Sequence, residues 1–213
     1  MAFVEAPNHF EAQHSRDCIV ETAGILKTVA ISCSKIASDI RLMGCGPRCG
    51  IGELKLPAVQ PGSSIMPGKV NPVICESMMM VCCQVIGNDT TTTIAGMGGV
   101  GGLLDLAVAM PVMAASTLDS TNLLANACEM FTDNLLVGLE PDEARCASLI
   151  EGSLAMCTSL APVIGYDKSA ALAKQAFTEG KTVREIALEQ NILPPDELDR
   201  LLQPFSMTEP DEA

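Results

Sequence analysis

Apolar residues recur at helical spacing over the first part of the chain. The repeating positions are Phe10, Cys18, Ile25, Val29, Ile36, Ile40 and Met43. This pattern predicts one long helix over residues 8–43, opened by Pro7 and Asn8 and ended at Gly44. The other faces of this helix are rich in Ala, Ser, Thr and Gly, which indicates close packing on more than one side.

Two more long helices are predicted downstream. Asn71 and Pro72 open the second, with Asn71 as the N-cap and Pro72 at the first helical position. The third covers roughly residues 104–136 and ends before Gly138. The glycine-rich segment 96–102 between them contains a GxGxxG pattern. Because no strand precedes it, we interpret this segment as a connection between helices and not as a dinucleotide site.

Short helices with their own start signals are predicted after Gly138. The signals are Pro141-Asp142-Glu143, Asp167, the capping box Thr182–Glu185, and Pro194-Pro195-Asp196-Glu197. No run of residues shows the alternation that is typical of a strand. The sequence therefore predicts an all-α protein with three long helices in residues 1–138, a small helical domain in 139–205, and a polar tail in 206–213.

Composition excludes several classes of function. The chain has 213 residues, of which 48% are hydrophobic and 3% aromatic, and its net charge is −13. No stretch of 18 apolar residues is free of charge, so the sequence predicts no membrane span. An acidic chain with few aromatic residues is also a poor candidate for binding nucleic acid. An anionic ligand would need positive charge from a few specific residues.

Cysteine and histidine spacing does not suggest a metal site. The ten cysteines are scattered without a CxxC pair, and both histidines, His9 and His14, lie near the start. We interpret both as ordinary helix residues and predict neither a metal nor a cofactor. Residues 1–17 lack the apolar segment of a signal peptide. Reduced thiols in a cytoplasmic protein are therefore the expectation.

The loop before the second helix concentrates polar groups in an otherwise apolar chain. The loop carries two hydroxyls, an ammonium and an amide, from Ser63, Ser64, Lys69 and Asn71. These groups come just before a helix N-terminus, which favours anions. This arrangement suits a carboxylate ligand and contains a candidate proton acceptor. On these features alone, an ordinary capped turn explains the loop equally well. A nucleotide-binding P-loop is excluded, because Val70 stands where Ser or Thr should bind magnesium.

The complete sequence of the loop distinguishes a carboxylate-binding site from an ordinary capped turn. Gly62-Ser-Ser-Ile-Met-Pro-Gly-Lys-Val-Asn-Pro72 resembles the signature of the fumarase/aspartase superfamily, GSSxMPxKxNP. Segments 46–53, 82–89 and 164–168 are also similar to class II fumarases, and three local differences favour the fumarase branch over the aspartase branch. The resemblance spans about residues 2–204. It implies an all-α fold in which four subunits associate through a central helix bundle and share their active sites.

The resemblance also implies roles for individual residues. Ser63 would be the general base, and Ser64, Lys69 and Asn71 would bind the carboxylates of fumarate or L-malate. Glu76 would be catalytic, because its family counterpart pairs with the catalytic histidine of another subunit. No metal is implied.

Two other signature regions of the superfamily have no counterpart in this sequence. One carries substrate-binding Thr, Ser and Asn residues, and the other carries a Thr-His pair. We therefore expect a fumarate hydratase of the tricarboxylic acid cycle, a homotetramer, of which this chain is an incomplete C-terminal part. Two alternatives stay open. One is an inactive fragment or split subunit that acts only with a full-length partner, and the other is an aspartase-type ammonia-lyase.

Overall fold

The computed structural model describes residues 2–208, which form two compact units, one ending at Glu140 and the other beginning at Pro141. Helices dominate both units, which confirms the all-α class. The elements up to the boundary are α1 (His9–His14), α2 (Asp17–Met43), β1 (Leu54–Lys55), α3 (Val73–Gly96), β2 (Gly102–Leu103), β3 (Leu106–Ala107), α4 (Met110–Asn134), a 3-10 turn (Leu136–Gly138) and β4 (Glu140–Pro141).

The three long helices α2, α3 and α4 pack around one apolar core. Ala30 and Ala37 of α2 are fully buried, and they face a core that contains Met78 and Cys82 of α3 and Leu124 of α4. Alanine and cysteine are small, so the helices can approach closely, and the flexible Met78 fills the remaining space. Burying a side chain as large as that of Met78 or Leu124 stabilises the fold by about 1.5–3 kcal/mol.

Polar side chains between the helices fix their register. The Asn88 side-chain amide donates to Asp119 Oδ2 at 2.9 Å and to Ser120 Oγ at 3.1 Å, which joins α3 to α4. Lys27 Nζ lies 2.7 Å from Asp89 Oδ2 and joins α2 to α3. A buried carboxylate without a partner destabilises the fold. Sliding α2 along α3 would break the Lys27–Asp89 pair and is therefore unfavourable.

The predicted single helix over residues 8–43 is wrong, because the chain bends between α1 and α2. Ser15 has an extended backbone with a ψ of 137°, which ends α1. The guanidinium of Arg16 turns back and donates to the carbonyls of Ala12 at 3.3 Å and Gln13 at 3.1 Å. These bonds satisfy acceptors that the interrupted helix leaves without an intrahelical donor.

The third long helix begins at Met110, later than the predicted residue 104, because a small hairpin precedes it. Strands β2 and β3 pair antiparallel, with Gly102 opposite Ala107 and Leu103 opposite Leu106. A side chain at Gly101 would lie 1.6 Å from the carbonyl oxygen of Ala95, so the glycine-rich segment closes a tight turn against the end of α3. This packing supports its interpretation as a connection between helices.

The second unit consists of short helices around its own core. Its elements are α5 (Glu143–Glu151), a 3-10 helix (Leu154–Leu160), α6 (Ala161–Ile164), α7 (Tyr166–Glu179), α8 (Val183–Glu189), α9 (Pro195–Leu201) and a second 3-10 helix (Pro204–Met207). Leu160, Leu172, Ile186 and Leu198 are almost completely buried at its centre. Of the predicted tail, Ser206 and Met207 lie in the last 3-10 helix, and residues 209–213 are outside the described range.

Local start signals account for most of these short helices. The predicted capping box is confirmed, because Thr182 Oγ1 accepts from the Glu185 N–H and the Glu185 carboxylate accepts from the Thr182 N–H. The predicted cap at Asp167 is wrong. The N-cap is Gly165, two residues before Asp167, and its φ of 87° allows the sharp entry into the helix.

No single helix within residues 2–208 is both long and apolar enough to cross a membrane, although the bent pair Glu143–Glu151 and Leu154–Ile164 together meet the length and composition criteria.

Candidate active site

The signature loop, residues 62–72, is closed by its own backbone. The Gly62 N–H donates to the Lys69 carbonyl at 2.8 Å, and Asn71 Nδ2 donates to the Gly62 carbonyl at 3.2 Å. A Cβ at position 62 would lie 2.9 Å from the Lys69 oxygen and 3.0 Å from the Asn71 side chain. Glycine is therefore required where the two arms of the loop meet.

Ser63 lies at the start of the closed loop, where two backbone donors converge on its hydroxyl oxygen. Ser63 Oγ accepts from the Ile65 N–H at 3.2 Å and from the Met66 N–H at 3.3 Å. Donors in this position lower the free energy of a negative charge on the oxygen. Ser63 is half-buried, whereas Ser64 beside it is exposed.

Lys69 provides the positive charge of the loop. Its side chain is exposed, and none of the ion pairs that the structure shows among residues 2–208 involves it. Gly68, with a φ of 77°, sets the backbone turn just before it. The ammonium group is therefore available to an anionic ligand.

Asn71 does not cap α3 as predicted. The N-cap is Pro72, and no side chain bonds to the first N–H groups of the helix. The amide of Asn71 points back across the loop to Gly62, because the closed loop offers it a carbonyl acceptor nearby. One amide hydrogen of Asn71 is used in this way, and the other can donate to a ligand.

Glu76 lies in the first turn of α3 and is paired with a residue that the sequence analysis did not identify. Its Oε1 is 3.5 Å from Nη2 of Arg41, in the last turn of α2. Both side chains are partly exposed, at 38% for Glu76 and 47% for Arg41. The sequence gives little indication that Arg41 pairs with Glu76, because a basic residue near a helix C-terminus usually complements the helix dipole. The pairing depends on how α2 and α3 pack.

The two histidines lie apart from the loop in the chain, and each has its own partner. His14 Nδ1 is 3.1 Å from the carbonyl oxygen of Leu106, and His9 Nε2 is 3.0 Å from a carboxylate oxygen of Glu5. Within the described residues, no group of three His, Cys, Asp or Glu side chains is arranged to hold a metal ion.

A cavity lies in the second unit, and no residue of the signature loop lines it. Its volume is about 840 Å³, and its lining includes Cys146, Ile150 and Leu202 together with the ion-paired side chains of Glu151 and Arg184. None of the predicted site residues lines this cavity. Residues 64–70 of the loop are exposed in the first unit, whereas Ser63 and Asn71 are partly buried.

Comparison with known proteins agrees with the loop signature. Two protein-family models match, one described as "Lyase" over residues 1–87 and one as "Fumarase C C-terminus" over residues 156–209. A class II fumarate hydratase of Neisseria meningitidis is 48% identical over 99% of this chain. The chain belongs to the class II fumarase family. Within that family, it corresponds to the C-terminal half.

Other members of the class II fumarase family are similarly close in sequence. A fumarate hydratase class II of Thermosynechococcus vestitus is 50% identical over 93% of this chain, and a mitochondrial fumarate hydratase of Arabidopsis thaliana is 48% identical over all of it. The chain covers only 45%, 42% and 42% of the Neisseria, Thermosynechococcus and Arabidopsis proteins. It therefore spans less than half the length of these relatives.

Solved structures show that this fold is shared inside and outside the class II fumarases. A class II fumarase of Schistosoma mansoni aligns with a TM-score of 0.90 at 38% identity. The alignment covers 99% of this chain and 43% of the Schistosoma chain. A 3-carboxy-cis,cis-muconate lactonizing enzyme of Pseudomonas putida aligns with a TM-score of 0.69 at 27% identity, over 96% of this chain and 46% of that one. Because proteins with different chemistry share the fold, function must be argued from the loop.

Proposed function

We propose that this chain supplies the signature-loop part of a fumarate hydratase active site, which interconverts fumarate and L-malate in the tricarboxylic acid cycle. The observation that carries the proposal is the pair of backbone N–H groups on Ser63 Oγ. A serine hydroxyl is normally too weak a base to remove a proton from carbon. Two fixed donors, in a loop that also carries the Lys69 ammonium group, stabilise its deprotonated form.

In the dehydration direction, Ser63 Oγ takes a proton from C3 of L-malate. The electron pair left on C3 moves into the adjacent carboxylate, which gains negative charge. Lys69, which is exposed near the closure of the loop, stabilises this charge electrostatically. The hydroxyl group then leaves C2 as water with a proton from a group that another subunit supplies, and fumarate is formed.

The remaining predicted residues bind and orient the substrate. Ser64 is exposed beside Ser63, and Asn71 has an amide hydrogen free for a carboxylate oxygen. These groups hold the dicarboxylate so that C3 faces Ser63. Glu76 lies one helical turn further on, at the start of α3, where its Oε1 is 3.5 Å from Nη2 of Arg41. In that position it is placed to orient a proton-transferring group supplied by another subunit.

We further propose that the working assembly is a homotetramer with shared active sites. Residues 64–70 of the loop are exposed, and apolar side chains such as Ile25, Ile31 and Met80 are exposed on the long helices, at 58%, 53% and 67%. Exposed apolar surface of this kind favours association. None of the ten cysteines, all of which lie within residues 2–208, is joined in a disulfide, which supports a reducing compartment, and we assign the protein to the cytoplasm.

Replacement of the proposed base tests this function. In an assembly that contains the whole site, Ser63→Ala should lower kcat by at least about 100-fold, the scale expected for loss of a general base. Ser148→Ala, at an exposed position of α5, is the matched control and should leave kcat unchanged. The assay follows fumarate absorbance. Near-normal turnover of the Ser63 variant would remove Ser63 from the mechanism.

A second candidate function is that of a subunit that only associates with a longer partner. It is favoured by one observation, that the chain covers 41–45% of the fumarate hydratases it matches. Co-purification with a full-length relative, without added turnover, would support it. An assay with fumarate and ammonia, compared with fumarate and water, distinguishes the ammonia-lyase alternative from the hydratase. The relatives are named fumarate hydratases, which favours water as the co-substrate.

A further inference from the structure

Arg41 lies at the same end of the long helices as the signature loop. Two ion pairs join α2 to α3, one between Lys27 and Asp89 and one between Arg41 and Glu76. The partner number falls from 89 to 76 as the position along α2 rises from 27 to 41, so the two helices run antiparallel. The last turn of α2, which carries Arg41, therefore lies beside the first turn of α3, which directly follows the loop.

The main chain on both sides of the Arg41–Glu76 pair is fixed by the apolar core. Ile40, which precedes Arg41, and Cys75, which precedes Glu76, are both buried in the same core cluster. The Glu76 N–H also donates to the carbonyl of Pro72, the last residue of the signature loop, at 3.1 Å. The main chain of Glu76 is thus held relative to the loop, and only its flexible side chain is left to be oriented.

The two carboxylate oxygens of Glu76 differ in their contacts. Oε1 is 3.5 Å from Nη2 of Arg41, whereas no hydrogen bond or ion pair that the structure shows within residues 2–208 includes Oε2. A partly exposed glutamate side chain without a partner samples several rotamers. A guanidinium beside one oxygen restricts these rotamers and leaves the other oxygen able to accept a hydrogen bond.

We propose that Arg41 is a positioning residue for the hydratase reaction, which holds Glu76 through Oε1 so that Oε2 accepts a hydrogen bond from the proton-transferring group of another subunit. The inference rests on the proposed function, in which Glu76 orients that group. Arg41 acts through Glu76 and need not touch the substrate. A partly exposed ion pair at this distance contributes little to the free energy of unfolding, so a role in stability does not account for it.

Variants of Arg41 test this role in the assembly of the chain with the part of the Neisseria meningitidis relative that it does not cover. Arg41→Met should lower kcat about 10-fold, a fraction of the roughly 100-fold or more that a positioned proton-transfer group contributes. The KM for L-malate should stay unchanged, because Glu76 orients a catalytic group and does not bind the substrate. Arg41→Lys, which keeps a cation, should restore part of the lost kcat. In a Glu76→Ala background, Arg41→Met should cause no further loss, because the residue through which Arg41 acts is already removed.

Arg200→Met is the matched control, because Arg200 is also an exposed arginine in the last turn of a helix, α9, and should leave kcat unchanged. An unchanged kcat in Arg41→Met, an equal loss with and without the Glu76 side chain, or a raised KM as the main effect would each overturn the proposal. Ser63→Ala in the same assembly tests the proposed function separately. If Ser63→Ala retains turnover, the hydratase mechanism fails. If Ser63→Ala abolishes turnover and Arg41→Met does not lower it, only the positioning role fails.

A measurement on the purified 213-residue chain needs no turnover. Nuclear magnetic resonance of the chain labelled with carbon-13 glutamate reports the rotamers of Glu76 through the vicinal couplings of its side chain. These couplings should indicate one dominant rotamer in the parent chain and in Arg200→Met, and an average over several rotamers in Arg41→Met. Averaged couplings in the parent chain, or a single rotamer that persists in Arg41→Met, would show that Arg41 does not position Glu76.

Discussion

Replacing Gly62 with alanine is the sharpest test of how the signature loop is held. Gly62 closes the loop through its N–H, which donates to the Lys69 carbonyl, and through its own carbonyl, which accepts from Asn71. A Cβ at this position would lie 2.9 Å from the Lys69 oxygen and 3.0 Å from Asn71 Oδ1. Since real Cβ atoms need more room than this, the Gly62→Ala variant must open the closure.

The size of the effect follows from the two hydrogen bonds that are lost. Each contributes about 1 kcal/mol to the closed loop, so the variant should lose about 2 kcal/mol, or roughly 30-fold in the ratio of closed to open loop. The loop is at the surface and outside the apolar core, so the free energy of global unfolding should change little. Ser63 should lose its oriented donors when the loop opens.

Amide hydrogen exchange measures the opening. The amide of residue 62 in Gly62→Ala should exchange roughly 30-fold faster than in the parent protein, as follows from the same two hydrogen bonds. Gly87→Ala is the matched control, because Gly87 is inside α3 and a Cβ there meets nothing within 4 Å. The control should leave the exchange of the loop unchanged. An unaltered exchange rate at residue 62 would refute the proposed closure.

Two predictions concern stability. Lys27→Met removes the cation from Asp89, whose side chain is 8% exposed, and should lower the free energy of unfolding by about 2 kcal/mol in urea, given that Lys27 itself is partly exposed. An unchanged unfolding midpoint would contradict this. Hydrogen bonds from Thr182 lower the pKa of Glu185 below the ordinary 4.5, so its contribution is complete above that pH and is lost as the pH falls through the lowered pKa. Glu185→Gln should therefore lower the Tm at neutral pH but not in strong acid, and a gap that persists in acid would count against this account.

Features that depend on neighbouring residues were predictable from the sequence. The capping box of α8 needs only Thr182 and Glu185, which are three residues apart, and it forms as predicted. The loop was also located correctly in the chain, because its signature string is continuous. The roles of its residues remain predictions.

Features that depend on packing were not predictable in the same way. The pairing of Arg41 with Glu76 requires α2 and α3 to lie side by side, and periodicity does not give that arrangement. Asn71 was expected to cap α3, but its amide prefers the Gly62 carbonyl, which only the folded loop brings near. The break at Ser15 likewise has no proline or glycine to signal it in the sequence.

The central claim is that this chain contributes the base-bearing loop to a fumarate hydratase site that other segments complete. The most direct measurement is fumarate absorbance with L-malate as substrate, made on the purified 213-residue chain alone and after coexpression with the part of the Neisseria meningitidis relative that it does not cover. We predict little turnover by the chain alone and clear turnover in the combination, abolished by Ser63→Ala. Robust turnover by the isolated chain, or a combination whose turnover survives Ser63→Ala, would contradict it.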